Sequence, residues 1–169
     1  MVKAAIFAAV LCICAWFSLP FGSAVFTLQS MGIFLTLGLL GGKWGTVSIA
    51  VYLACGAAGL PVFSGFRGGL GVLLGATGGY LWGFLLAGIA YWILDGIIRK
   101  PILALIPAQL VCYLCGTLWY AYGYGGGIWQ VLLVCVVPYL VPDGLKFWLA
   151  AFLIRRIRKE FPRVGSYNL

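Results

Sequence analysis

Asp143 and Lys146 are the residues of this chain best placed to do chemistry. They close the segment Pro138-Tyr-Leu-Val-Pro142-Asp143-Gly-Leu-Lys146, an acid and a base three residues apart within otherwise apolar sequence. Proline has no amide donor and breaks helical ladders. The segment is therefore expected to form a short outer or re-entrant helix over 128–137, a turn, and a new helix beginning at Asp143, its N-cap. Side chains three apart project from one face of a helical turn, where the dipole and the ammonium together favour a polar or anionic ligand. A charge inside a bilayer is costly and persists when it is paired, hydrated or used. A mutual salt bridge with capping and no ligand is the bland reading. A broken helix at membrane depth favours a cavity instead.

A second candidate is the glycine-dense stretch over 60–80, which carries Arg67 followed by Gly68 and Gly69 and ends at Tyr80. Its glycines permit a tightly folded loop whose backbone approaches a ligand closely. Close helix packing through Gly71, Gly75, Gly79 and Gly83, spaced by four, is the alternative, and Arg67 reads equally as a solvated loop charge or a ligand contact. Near the amino terminus, Ala4 with Ala8 and Ala5 with Ala9 form small-residue pairs that admit a neighbouring helix, from this chain or from a partner.

Other chemistry is excluded. The chain contains no His, so imidazole acid–base catalysis and His-containing metal sites fall away. The six cysteines lie in apolar runs, and Cys112-x-x-Cys115 has no second pair to complete a zinc site, so no metal centre is expected. Gly42-Lys43 is followed by Trp44 where a phosphate-binding loop needs Ser or Thr. ATP hydrolysis is not within reach of these residues.

The elements that must position the candidates are membrane helices. Of 169 residues, 64% are hydrophobic and only 8% charged, with a mean hydropathy of +1.11. A soluble domain has about a quarter of its residues charged, so lipid is the solvent. The +8 net charge is spread as punctuation rather than gathered on one face, which excludes a nucleic-acid partner. Uncharged runs over 4–42, 44–66, 68–94 and 101–142, with one more after Lys146, predict six helices near 3–19, 28–41, 45–60, 75–98, 102–120 and 143–158. Six crossings put Lys3, Lys43, Arg99, Lys100 and the basic carboxy-terminal residues Arg155, Arg156, Arg158, Lys159 and Arg163 on one side. By charge bias that side is the cytoplasm. The expected fold is an all-α membrane protein, a compact bundle of six transmembrane helices with cytoplasmic termini and structured outer loops. It forms one domain over 1–158 with a short basic, polar cytoplasmic tail over 159–169.

These blocks in order resemble a known family. Val25-Phe-Thr27-Leu-Gln29, Gly-Leu-Pro-Val at 59–62, Gly-Gly at 68–69, Gly-x-Thr-Gly-Gly-Tyr at 75–80 and Pro142-Asp-Gly-Leu-Lys146 before an Arg-rich end are similar to the BioY family, biotin-specific S components of energy-coupling factor transporters. The resemblance runs over nearly the whole chain. It implies a substrate-capture subunit of the prokaryotic plasma membrane, not an enzyme. Such a subunit binds biotin from outside without a cofactor and is energised by a separate T component and two ABC-type ATPases. It further implies that Asp143 accepts from the ureido N–H groups and that Lys146 donates to the ureido oxygen or the carboxylate. Arg67 suits the valerate carboxylate, while Gly68, Gly69, Tyr80 and Gln29 complete the lining. Either Ala4 and Ala8 or Ala5 and Ala9 form the T-component docking face. Some relatives carry an arginine directly after Gly-Gly-Tyr, where this chain has Leu81; Arg67 would then compensate. Competing readings are an S component for another vitamin, a solitary biotin transporter, and a membrane enzyme using Asp143 and Lys146, which would need a further polar group.

Overall fold

In an apolar solvent every backbone amide must be satisfied within the protein, and this chain does so largely with helices. The computed structural model describes residues 1–21, 24–98 and 100–160. Helix α1 (Val2–Trp16) leads into an antiparallel hairpin of β1 (Ser18–Phe21) and β2 (Ala24–Thr27), in register from Ser18 opposite Thr27 to Phe21 opposite Ala24. There follow α2 (Gln29–Ala57), the single turn α3 (Leu70–Leu73), α4 (Gly78–Asp95), α5 (Pro101–Tyr124), the short α6 (Ile128–Cys135) and α7 (Val137–Glu160). Arg99, Arg163 and most of the expected tail over 159–169 lie outside the described residues.

Helix α2 is a folded-back pair. Gly41 takes φ 76° and ψ 177°, a backbone conformation open to glycine, and splits the element into limbs over 29–40 and 42–57. Gln29 Nε2 donates to the Tyr52 hydroxyl at 2.7 Å across 23 residues of sequence. A straight helix would hold these two about 35 Å apart. The reversal exposes carbonyls ending the first limb and amides starting the second. Arg158 Nη2 donates to the Gly38 carbonyl at 2.6 Å, and Asp95 Oδ2 accepts from the Gly42 amide at 3.3 Å. A cation thus sits at the negative end of one limb and an anion at the positive end of the next.

The distribution of polarity fits a membrane protein. Large apolar side chains such as Ile93, Leu110, Leu114, Trp148 and Phe152 face outward, whereas Thr36, Ser48, Thr117 and Asp143 are buried. Among the described residues α5 and α7 are single helices long and apolar enough to cross a bilayer, and α2 reaches that length only with its two limbs taken together. Glycines bring the helices close. Gly38 packs on Ile154, Gly42 on Trp92, Gly79 on Trp119 and Gly116 on Tyr80, each without room for a Cβ. Helix α1 buries Ala4, Ala8, Leu11 and Ala15, one stripe at helical spacing, and packs chiefly on α2.

Three expectations are corrected. Helix α7 begins at Val137, so Asp143 lies inside a helix and is not its N-cap. Pro138 falls in the first turn, where an amide has no intrahelical acceptor anyway, so only Pro142 removes a bond. The helix expected over 75–98 begins at Gly78, and of the four spaced glycines Gly79 and Gly83 lie against α5 side chains, at Trp119 and Cys112. The helix expected over 3–19 ends at Trp16, where the chain enters β1.

Candidate functional site

Helix α7 follows a break at Val136, and of its residues 137–143 Asp143 is the buried one. Asp143 is 8% exposed there and meets side chains from three helices. Its Oδ1 accepts from Lys146 Nζ at 2.7 Å and from Ser30 Oγ at 2.9 Å. Its Oδ2 accepts from the Tyr113 hydroxyl at 2.6 Å and from Gln109 Nε2 at 3.5 Å. Lys146 Nζ also reaches Ser30 Oγ at 3.3 Å. A carboxylate removed from water is strongly destabilising unless paired and fully hydrogen-bonded, and four donors supply that compensation.

The cluster forms one wall of a cavity of about 400 Å³ enclosed by α2, α4, α5, α6, α7 and the loop before α3. Its size matches that of small-molecule sites, and its lining is mainly apolar with a few convergent polar groups. Asp143, Lys146, Arg67, Tyr80 and Gln29 all lie on it. Tyr80 is held by its hydroxyl, which donates to the Cys135 carbonyl at 3.2 Å, and its ring fills the space left by Gly116. Arg67 is exposed at the rim on a loop fastened to α1. Trp16 Nε1 donates to the Pro61 carbonyl at 2.7 Å, the Trp16 and Phe66 rings stack with centroids 5.2 Å apart, and Arg67 Nε closes onto the Ser64 carbonyl at 3.1 Å.

Gly68 and Gly69 are not on the cavity wall. Gly69, at φ 92°, donates its amide to the Gly56 carbonyl at 2.7 Å, and Gly68 lies against the Leu60 carbonyl with no room for a side chain. These two glycines tie the loop to the end of α2. Leu81 is buried on the wall and offers it only an apolar surface. Ser30, Gln109 and Tyr113 went unrecognised from sequence although they carry the cluster. The available signal was an amide and a hydroxyl four residues apart in the apolar run of α5.

Elsewhere, Ala4 and Ala8 are buried within the chain, whereas Ala5 and Ala9 are exposed beside Val2, Ile6 and Ile13. A more open groove of about 820 Å³ between α4 and α5 carries no charged side chain. The six cysteines are free, and among the described residues no three His, Cys, Asp or Glu side chains gather as metal ligands would.

Comparison with known proteins adds the following. Residues 1–163 match the BioY family. A biotin transporter BioY of Thermotoga maritima is 39% identical over 165 residues, covering 94% of this chain and 95% of that protein. A probable biotin transporter BioY of Pyrococcus horikoshii is 35% identical over 154 residues, covering 91% and 93%. Among solved structures, the S-component for biotin from an ECF-type ABC transporter superposes with a TM-score of 0.85 at 26% identity, over 98% of this chain and 94% of that one.

Proposed function

The chain belongs to the BioY family, and from that premise we propose that it is the biotin-capture subunit of an ECF-type uptake transporter. The observation that carries the reading is the cavity at Asp143 and Lys146, where buried, hydrogen-bonded charges meet an apolar pocket of small-ligand size. Biotin requires both: an apolar bicyclic ring and valerate chain, and polar partners for its ureido group. In this reading Lys146 donates to the ureido oxygen, and Arg67 at the rim takes the valerate carboxylate as a bidentate partner. Gln29 and Tyr80 contribute to the lining. Gly68 and Gly69 shape the loop that carries Arg67.

The transport machinery follows from the same premise. The chain crosses the prokaryotic plasma membrane six times as one domain, with the cavity facing outward and both termini, including the short basic tail, in the cytoplasm. Support comes from the placement of Lys43, Lys100, Arg155, Arg156, Arg158 and Lys159 away from the cavity end, where, among the described residues, Arg67 and Lys146 carry the positive charge. A separate T component docks on α1 through Ala5 and Ala9, the exposed small-residue pair, and two ABC-type ATPases supply the energy. ATP-driven reorientation then opens the cavity inward.

Calorimetric titration of the full chain in detergent with biotin, thiamine and riboflavin tests the assignment. The expected result is a nanomolar dissociation constant for biotin and no heat above dilution for the others. A folded chain that ignores biotin and binds another vitamin overturns it.

A further inference from the structure

Helix α7 presents two faces with different contents. Asp143, Ala150 and Ile154 recur at helical spacing and are buried, and on the same side of the helix Arg158 donates to the Gly38 carbonyl. Val141, Leu145, Trp148 and Phe152 recur on the opposite face and are exposed. Arg155, Arg156 and Lys159 continue that face, one to two turns beyond Phe152, and are exposed as well. The Trp148 and Phe152 rings stack, with centroids 6.2 Å apart and 16° between their planes. Among the described residues none of the three cations makes an ion pair, although Glu160 stands exposed beside them at the end of the helix. Arg158 belongs to the same basic run but is committed to the fold.

A stripe that is apolar along the membrane helix and basic at one end matches the two halves of an anionic phospholipid. Stacked indole and phenyl rings give an acyl chain a broad apolar surface to lie on. A guanidinium meets phosphate oxygens as a two-pronged donor, and cations just beyond a membrane helix draw anionic headgroups. A second protein helix fits this face less well. Close helix packing in lipid uses small side chains, such as Ala5 and Ala9 exposed on α1, whereas the outward stripe of α7 is built from bulky ones. Resting on the membrane orientation proposed above, we infer that this stripe seats an anionic phospholipid of the cytoplasmic leaflet, its acyl chain along Trp148 and Phe152 and its phosphate held by Arg155, Arg156 and Lys159. The lipid is then held on the face of α7 opposite the cavity.

Native mass spectrometry of the full chain in detergent, titrated with dioleoylphosphatidylglycerol or dioleoylphosphatidylcholine, tests this by counting retained lipid. Phosphatidylglycerol is expected to be retained at least about threefold over phosphatidylcholine, and the combined Arg155→Gln, Arg156→Gln, Lys159→Gln variant should bring that ratio to about one. Arg155→Lys with Arg156→Lys should keep most of the preference, because the charge remains. Trp148→Ala with Phe152→Ala should lower retention of both lipids at least about twofold and leave the ratio in place. Lys43→Gln with Lys100→Gln, exposed cations off the stripe, should also leave it in place. An equal loss from that pair would make the attraction a diffuse property of this end of the bundle and overturn the inference. So would equal retention of both lipids by the wild type, or an unchanged ratio in the combined variant. Inorganic phosphate that raises Tm as much as phosphatidylglycerol does would mark a free-anion site instead. A combined variant that keeps the lipid preference but no longer holds the T component would make the stripe a protein surface, which also overturns it. The substituted side chains are exposed, so biotin calorimetry on the combined variant should match the wild type and report an intact fold. A wild-type chain that gives no heat with biotin overturns the biotin reading and leaves the lipid ratios to be read on their own.

Discussion

The two ends of the bundle both hold acidic and basic side chains in apolar surroundings, and they use them differently. At the end marked by Gly41, Asp95 and Arg158 are joined to backbone: one takes the amide that opens the second limb of α2, the other the carbonyl that closes the first. At the cavity end, Asp143 and Lys146 are joined to the side chains of Ser30, Tyr113 and Gln109. Charges committed to backbone repair a helix break and stay in place as the fold requires. Charges committed to side chains gather polar groups from three helices onto the wall of a cavity. A buried charge in a membrane protein is therefore no site by itself. A candidate site arises where the paired charges and their polar partners line a cavity of ligand size.

The largest effect expected from this contrast is at Lys146. Lys146→Ala removes the donor facing the cavity and leaves Asp143 with three partners, so biotin affinity should fall at least a hundredfold, about 2.8 kcal/mol. Calorimetry against the wild type reads it, with thermal unfolding as a control because an under-paired buried carboxylate also destabilises. Retention of affinity within threefold would make the pair purely structural and erase the difference between the two ends.

How much of this was legible in sequence divides along the same line. Asp143, Lys146 and Arg67 stand out because a charge inside an apolar run is visible against its neighbours. Gln29 and Tyr80 emerged from ordered sequence blocks. Ser30, Gln109 and Tyr113 were not read, because neutral polar residues are ordinary in membrane helices and only the third dimension brings α2, α5 and α7 to one carboxylate. Asp95 was read as the edge of an apolar run; its partner Gly42 is 53 residues away in sequence. Separate helices near 28–41 and 45–60 were readable from the charge at Lys43, and the backbone reverses close by, at Gly41. The hairpin over 18–27 was taken for loop, since strands of four residues give too short an alternation to register. Gly68 and Gly69 were assigned to the ligand because a glycine pair allows close backbone approach equally to a ligand or to the chain itself.

A smaller effect is expected at Arg67. It sits at the exposed rim, where solvent competes for a guanidinium and weakens any ion pair it makes. Arg67→Ala should cost biotin about tenfold in affinity. Biotin methyl ester, which lacks the carboxylate charge, should bind the variant and the wild type equally. A tenfold loss for the ester as well would place Arg67 in holding the loop rather than in meeting the valerate, and the cavity end would then resemble the Gly41 end more than proposed.

The smallest effect on binding, and the clearest separation of the two ends, is expected from Asp95→Ala. The substitution leaves the Gly42 amide without its acceptor at a reversal that Trp92 packs against too closely for rearrangement. An unsatisfied buried donor costs about 1–3 kcal/mol, which for a chain of this length lowers Tm by about 2–10 °C. Asp95 lies far from the cavity wall along the bundle, so biotin affinity measured below the transition should stay within twofold of wild type. Asp95→Asn, whose side-chain oxygen can still accept from Gly42, should recover part of the lost Tm. Were Asp95→Ala to weaken biotin tenfold with the fold intact, the reversal at Gly41 would be coupled to the cavity through the limbs of α2, and the two ends would act as one unit.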